Sequence, residues 1–172
     1  MPLAVTLSLP EMSLALDAAW LRIVTSAARG LNHAATYQRS MTKRIQEEFV
    51  GACGEIAVGK AADKFFVPSV NTFHRVPDCL GDCEVRCTEV SAGRLIVRDN
   101  DSDTRKYVLG VMVNDTITLV GWILGADAKR DEWIDNPNNY RTAWFVPQNA
   151  LNPIEELLSC PASRPSLPRL FG

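Results

Sequence analysis

A chain of 172 residues is the size of one domain with a core of its own. Its usage, 47% apolar and 22% charged, is that of a globular protein and excludes a disordered one. A formal charge of -2 excludes a basic surface spread over the whole molecule, so a nucleic-acid partner would have to meet a local patch.

The opening stretch, MPLAVTLSLPEMSLALDAAWL, carries no basic leader region, and Pro10, Glu11 and Asp17 interrupt any membrane-spanning run. Five cysteines (Cys53, Cys79, Cys83, Cys87 and Cys160) are an odd number with no secretory leader before them, which speaks against a disulfide framework. The expectation is a cytoplasmic protein with no membrane partner.

From Glu11 to Arg29, apolar residues at helical spacing (Leu14, Ala18, Leu21, Val24, Ala28) predict a first helix that stops at Gly30. A second helical pattern runs from about Met41 to Phe65, with Ile45, Phe49, Ala52 and Ile56 forming a stripe that faces a core. Glu48 and Glu55 are seven residues apart and share one face of it, and the small residues Gly51, Ala52 and Gly54 would let another backbone approach. The plain reading of that pair is surface glutamates beside a tight helix contact.

Beyond residue 82 the period changes to alternation. In DCEVRC, Asp82, Glu84 and Arg86 share one face of a strand and Cys83, Val85 and Cys87 the other. SAG at 91 to 93 reads as a turn, RLIVRD as the returning strand of a hairpin, and DNDSD at 99 to 103 as its end. Strands follow at 106 to 113 and 117 to 124, the latter nearly continuous in apolar residues and therefore central. ADAKRDEWI predicts a short helix, TAWFVP a last strand, and NPIEELL a small helix opened by Pro153. PASRPSLPRLFG, with three prolines, reads as an extended arm. This order predicts an α/β or α+β sandwich, helices packed on a largely antiparallel sheet.

The segment DCLGDCEVRC, residues 78 to 87, has two readings. Asp82 and Glu84 share a strand face, Asp78 lies just before it and Glu55 comes from the preceding helix; carboxylates converging in this way repel one another unless a hard cation such as magnesium lies between them. The other reading is an amphipathic surface strand with a solvated charged face. The cysteine spacing does not resemble the close pairs of a zinc site, and on a strand Cys83 and Cys87 would act as small apolar residues facing the core. DNDSDT resembles the start of a calcium loop, but Thr104 stands where that loop needs glycine and Gly110 where it needs glutamate. His33 and His74 have no nucleophile near them in the chain. Trp122, Trp133 and Trp144 read as packing residues, with Lys129 and Arg130 placing Trp133 within reach of a nucleic acid.

The helix carrying GACGE, the PD at 77 and 78, and the strand with EVR at 84 to 86 together resemble the PD-(D/E)xK nuclease superfamily. The stretch from GACGEIAVGKAADKFF to VGWILGADAKRDEW is similar to small phage-type members of that group. The resemblance covers roughly residues 45 to 147. It implies a restriction-endonuclease-like core over 41 to 158, a central mixed sheet of about four to five strands flanked by helices, an N-terminal helical extension at 1 to 40 and a proline-rich tail at 159 to 172. By position, Glu55 corresponds to the helix glutamate, Asp78 to the aspartate of PD, Glu84 to the acidic residue of the last element and Arg86 to its lysine.

What the resemblance implies is hydrolysis of a DNA phosphodiester with Mg2+ or Mn2+. The ion would be held by Glu84, by Asp78 or Asp82, and by Glu55 directly or through water, activating water and neutralising charge at the phosphate. Arg86 would stabilise the transition state, and Arg94 and Arg98 on the neighbouring strand could assist in holding nucleic acid or simply be solvated. Two departures stand out: arginine at 86 cannot take a proton from water as a lysine could, and the short gap from Asp78 to Glu84 makes Asp82 an alternative ligand. A catalytically inactive nucleic-acid-binding relative, or a virion or assembly component that packs against copies of itself or other phage proteins, is the alternative.

Overall fold

The protein is described from a computed structural model covering residues 1–29, 40–70, 80, 82–135 and 142–159. Strand β1 (Leu3–Thr6) leads into helix α1 (Leu9–Ala28). The helix starts where sequence signals say it should: Pro10 lies in the first turn, and Glu11 reaches back to accept the Ser8 backbone N–H at 2.6 Å. Lys60, near the end of the second helix, donates to the same carboxylate at 2.8 Å, so the start of α1 is tied to the end of its neighbour.

Helix α2 (Met41–Ala61) is capped by Ser40, whose hydroxyl accepts the Lys43 N–H. It ends four residues before the sequence pattern does. Asp63 takes a left-handed φ of 53°, a conformation that aspartate tolerates, and the Lys64 N–H turns back to the Gly59 carbonyl at 2.9 Å.

Four strands form the central sheet in the order β1-β5-β4-β2: β2 (Cys83–Thr88), β4 (Lys106–Val113) and β5 (Thr116–Leu124) with β1. A two-residue turn joins β4 to β5, and Asn114 supplies its left-handed residue, φ 57°. The sheet is mixed: β1–β5 and β5–β4 are antiparallel, as expected of most of it, whereas β2 pairs in parallel with β4, Glu84 beside Tyr107 and Arg86 beside Leu109.

The hairpin expected after β2 does not form. Strand β3 (Leu95–Arg98) pairs instead with β7 (Ala143–Val146), which also pairs with the short β6 (Ile134–Asp135), giving a second, three-stranded antiparallel sheet. The physical reason is burial. Leu95 and Val97 are fully enclosed with Tyr107, Leu109, Ile123 and Val146, an apolar gain that pairing along the exposed edge of β2 would not give. Residues 89–105 thus serve as the crossover that a parallel pair requires.

These pairings give three layers. Helices α1, α2 and α4 (Ile154–Leu158) cover one face of the central sheet, and the small sheet with α3 (Gly125–Ala128) covers the other, so there are two cores. The run ITLVGWIL is central, as its apolar continuity implied, but it also changes face. Leu109 lies opposite Gly121 and Gly110 opposite Leu119, so Val120 is an unpaired bulge residue; Ile117 and Leu119 point to the helix-side core and Ile123 to the other.

Segment 1–40, expected as a helical extension, places β1 in the sheet and Val5, Leu7, Ala15 and Ala18 in the helix-side core. Along α1 the buried residues are Ala15, Ala18, Ala19 and Ile23, whereas Leu21, Val24 and Ala28 of the predicted stripe are exposed. The tight contact foreseen for α2 is made by Gly54, where a Cβ would lie 2.8 Å from the Cβ of Cys87; Gly51 has open space around it.

Candidate functional site

Alternation along β2 sorts its residues as the sequence implied. Cys83, Val85 and Cys87 face the helices within the apolar core, and burial pushes the Cys53 and Cys87 thiols up to about 12, so they act as small apolar groups and not as ligands or nucleophiles. Glu84 and Arg86 face the small sheet. There they meet a set of charged groups whose members lie far apart in the chain.

Glu84 is 3% exposed, and its carboxylate accepts a hydrogen bond from the Arg105 guanidinium, just before β4. Arg86 lies 3.9 Å from the other oxygen of Glu84 and donates from Nη2 to both oxygens of Asp101, at 3.2 and 3.3 Å. Asp101 is also buried, and it closes the turn after β3 by accepting the Arg98 backbone N–H at 2.9 Å. Lys129 donates to the Asp101 carbonyl at 2.7 Å and pairs with Asp103 at 2.6 Å, fixing that turn from the other side. Tyr107 forms the floor, with the Arg86 guanidinium 5.8 Å from its ring centre. Burial, reinforced by the Asp101 and Glu84 carboxylates, pushes the Tyr107 phenol up to about 12, so it is a neutral donor, bonded to the Ser102 carbonyl at 3.2 Å.

Two buried carboxylates and two guanidiniums therefore balance one another on this face. Burying such charges is costly unless each is paired, which accounts for the dense pairing.

The other residues expected at a site fall in different places. Glu55 is buried on α2, on the helix side of the sheet, and both its oxygens accept from Arg22 Nη2 of α1 at 2.8 Å. Arg22 also stands 3.7 Å from Glu48, so the two glutamates do share a helix face, and its Nε donates to the Ser69 carbonyl at 2.8 Å. Asp82 is half-exposed at the start of β2 and pairs with Lys106 at 3.0 Å. Arg98 ends β3 and Arg94 precedes it, both exposed; neither is on a strand paired with β2. Asp78, Cys79, His33, His74 and Cys160 lie outside the described residues. Of the carboxylates foreseen as ligands, β2 thus brings Glu84 to the small-sheet face while Glu55 stays with the helices.

Asp101 and Arg105 were missed in the sequence. Both belong to DNDSDTR, which reads as a polar turn; only the parallel register of β2 on β4 carries Arg105 to Glu84, and only the turn after β3 carries Asp101 to Arg86. A cue was present in the odd-numbered alternation Arg105, Tyr107, Leu109, which puts Arg105 on the face of β4 that β3 covers.

Magnesium takes oxygen ligands and is commonly held by one or two carboxylates with water. Glu84 and Asp101, on one face and converging on Arg86, are a donor pair of that kind if the arginines give way. Among the described residues no three His, Cys, Asp or Glu side chains gather as a larger metal-binding group. Among the same residues, no helix is long and apolar enough to cross a membrane. No protein-family model matches the chain, and neither a curated protein nor a solved structure matches it significantly.

Proposed function

We propose that the Glu84 face of β2 is a DNA phosphodiester site of the PD-(D/E)xK type, hydrolysing its substrate with Mg2+ or Mn2+ in the cytoplasm of the cell. The observation that carries this reading is the meeting of two buried carboxylates, Glu84 and Asp101, over one guanidinium, Arg86, with Arg105 on the far side of Glu84. Buried titratable groups gathered in this way mark functional sites more often than chance, although ion-pair networks that only hold a fold also produce them.

In this reading Glu84 and Asp101 would hold the ion, with Asp82, next to the start of β2, as a further ligand. The ion supplies charge neutralisation at the phosphate and activation of water. Arg86 and Arg105, displaced from the carboxylates, hold phosphate oxygens; guanidinium groups bind phosphate in a planar, two-pronged manner and do not accept protons. Glu55 is then a positioning residue: through Arg22 it fixes α1 on α2 and so sets the helix layer behind β2. Arg94 and Arg98, exposed around β3, extend the cationic surface for DNA.

One observation favours a second reading. Glu84 and Glu55 are each closed by an arginine, as expected of a nuclease-like fold that binds nucleic acid, or joins an assembly, without cutting.

Cleavage of labelled single-stranded, double-stranded and branched DNA with Mg2+ or Mn2+ separates the two, comparing wild type with Glu84→Ala and Arg86→Lys. Metal-dependent cutting that vanishes in Glu84→Ala supports hydrolysis. A silent wild type with salt-sensitive DNA binding, or with cutting gained in Arg86→Lys, supports the second reading. Silence and no binding in every variant rejects hydrolysis and nucleic-acid binding and leaves, of the second reading, the assembly role.

A further inference from the structure

Strand β3 turns one side to the inner core and the other outward. Leu95 and Val97 are fully enclosed, whereas Arg94 and Arg98 are exposed and Ile96 between them is 38% exposed. Register carries the outward side onto β7: Ile96 lies opposite Phe145 and Arg98 opposite Ala143, and partners in an antiparallel pair share a face. Among the described residues, Ile96 and Phe145 belong to neither core, although their neighbours Leu95 and Val146 belong to the inner one. The outer face of the small sheet therefore sets an aromatic ring and an isoleucine side by side, with a guanidinium before and after them along β3. Asp135, opposite Ala143 on β6, stands at the far edge.

We propose that this face binds single-stranded DNA, with Phe145 stacking on an unpaired base and Arg94 and Arg98 holding the phosphates on either side. The inference rests on the reading of the Glu84 face as a DNA site, and it names the substrate of that site as single-stranded DNA or the single-stranded arm of a branched one. Three features select this occupant.

The first is the order of charge. Cation, apolar side chain and cation follow one another along β3 at about 6.6 Å per step, and a nucleic-acid strand likewise alternates charged phosphates with apolar ring faces. An aromatic ring on a sheet, with basic groups around it, holds a single strand by stacking and phosphate contact with little regard to sequence. A duplex keeps its ring faces within its own stack, so Phe145 would have no base to meet.

The second is that a copy of the chain fits badly here. A two-fold axis at Ile96 would set Arg94 of one molecule against Arg98 of the other, so like charges would face each other at both ends. A polyanion meets the same two arginines with opposite charge.

The third is continuity with the candidate site. β3 runs directly into the turn that supplies Asp101, whose N–H donates to the Arg98 carbonyl at 3.0 Å and whose carboxylate accepts the Arg98 N–H and the Arg86 guanidinium. A strand lying along β3 is thus led over the end of the sheet toward Glu84.

Fluorescence anisotropy in EDTA, where metal-dependent cutting is absent, tests this on the full chain. A labelled oligothymidine is compared with an abasic oligonucleotide of the same length and charge and with a duplex, for wild type, Phe145→Leu and Arg94→Ala, with circular dichroism melts of each. The expected result is that wild type binds oligothymidine at least about tenfold more tightly than the abasic strand, as base stacking gives. Phe145→Leu should lose that preference and leave abasic and duplex binding unchanged, and Arg94→Ala should weaken both single strands alike and lower the salt slope by about one. Should Phe145→Leu melt well below wild type, Ile96→Glu decides, because it sets a carboxylate between the two arginines at an exposed position; it is expected to weaken oligothymidine binding at least about tenfold. Equal binding of the two single strands by wild type, a preference that survives Phe145→Leu or Ile96→Glu, or binding indifferent to Arg94→Ala overturns the proposal. If any of these is found while metal-dependent cutting persists, the Glu84 site stands without this face; no binding and no cutting of any oligonucleotide overturns both.

Discussion

The two faces of the central sheet bury their residues by opposite means. On the helix side the layer is mostly apolar: Cys83, Val85, Val108, Ile117 and Leu119 meet alanines and valines of α1 and α2 and Cys53, and among the described residues its buried carboxylate, Glu55, is paired with Arg22 from the neighbouring helix. On the small-sheet side a comparable apolar core, Leu95, Val97, Leu109 and Val146, borders directly on Glu84, Arg86, Asp101 and Arg105. Here two carboxylates and two guanidiniums are interleaved, Arg86 standing between Glu84 and Asp101, and a buried group of this kind is costly unless every charge is paired.

If the faces differ in this way, substitutions should separate them. The largest effect is expected on catalysis: Glu84→Gln lowers metal-dependent DNA cleavage by at least about a hundredfold, as loss of a metal ligand does, whereas Glu55→Gln stays within about tenfold at temperatures where it is folded. Equal losses would merge the two faces into one site.

Stability comes next. Asp101→Ala removes the partner of Arg86 and the acceptor of the Arg98 N–H, and is expected to cost about 2–4 kcal/mol in urea unfolding. A loss of only a few tenths would mean that solvent already serves those donors.

On the helix side the sharpest contrast lies within one helix. Gly54→Ala places a methyl group 2.8 Å from Cys87 and should destabilise by about 1–3 kcal/mol. Gly51→Ala, three residues earlier in open space, should stabilise by about 0.5–1 kcal/mol. The same signs for both would show that α2 does not lie on β2 as described.

The smallest effect is one of pH. The hydrogen bond from Lys60, aided by the Ser8 backbone N–H, lowers the Glu11 carboxyl from 4.5 to about 2. A carboxyl that is more acidic when folded contributes stability above its unfolded value and loses it as pH falls toward the folded one. Thermal melts should therefore drop between about pH 4.5 and 2, and Glu11→Gln should flatten that part of the curve.

Much of the layering was legible in the residues themselves. The alternation of DCEVRC assigned the faces of Cys83, Glu84, Val85, Arg86 and Cys87, and nearly continuous apolarity marked β5 as central. Strand pairing was not legible, because RLIVRD after a turn is compatible with a hairpin on β2 and with a strand in another sheet; which forms depends on what Leu95 and Val97 can bury against, and that is fixed by residues as distant as Val146. The same non-local pairing hid half of the candidate site. Glu84 and Arg86 stand in one short motif, but Asp101 and Arg105 sit in a polar turn whose aspartates look alike until the fold buries one of them. The first strand was missed for a similar reason: LAVT is too short to declare itself without β5 beside it.

The most direct test of the division between the faces is the binding of Mn2+, followed by loss of the free-ion electron paramagnetic resonance signal, to wild type, Glu84→Gln and Glu55→Gln. The account predicts specific binding by wild type and by Glu55→Gln and its loss in Glu84→Gln. Binding that survives Glu84→Gln but disappears in Glu55→Gln, or no binding by wild type, would contradict it.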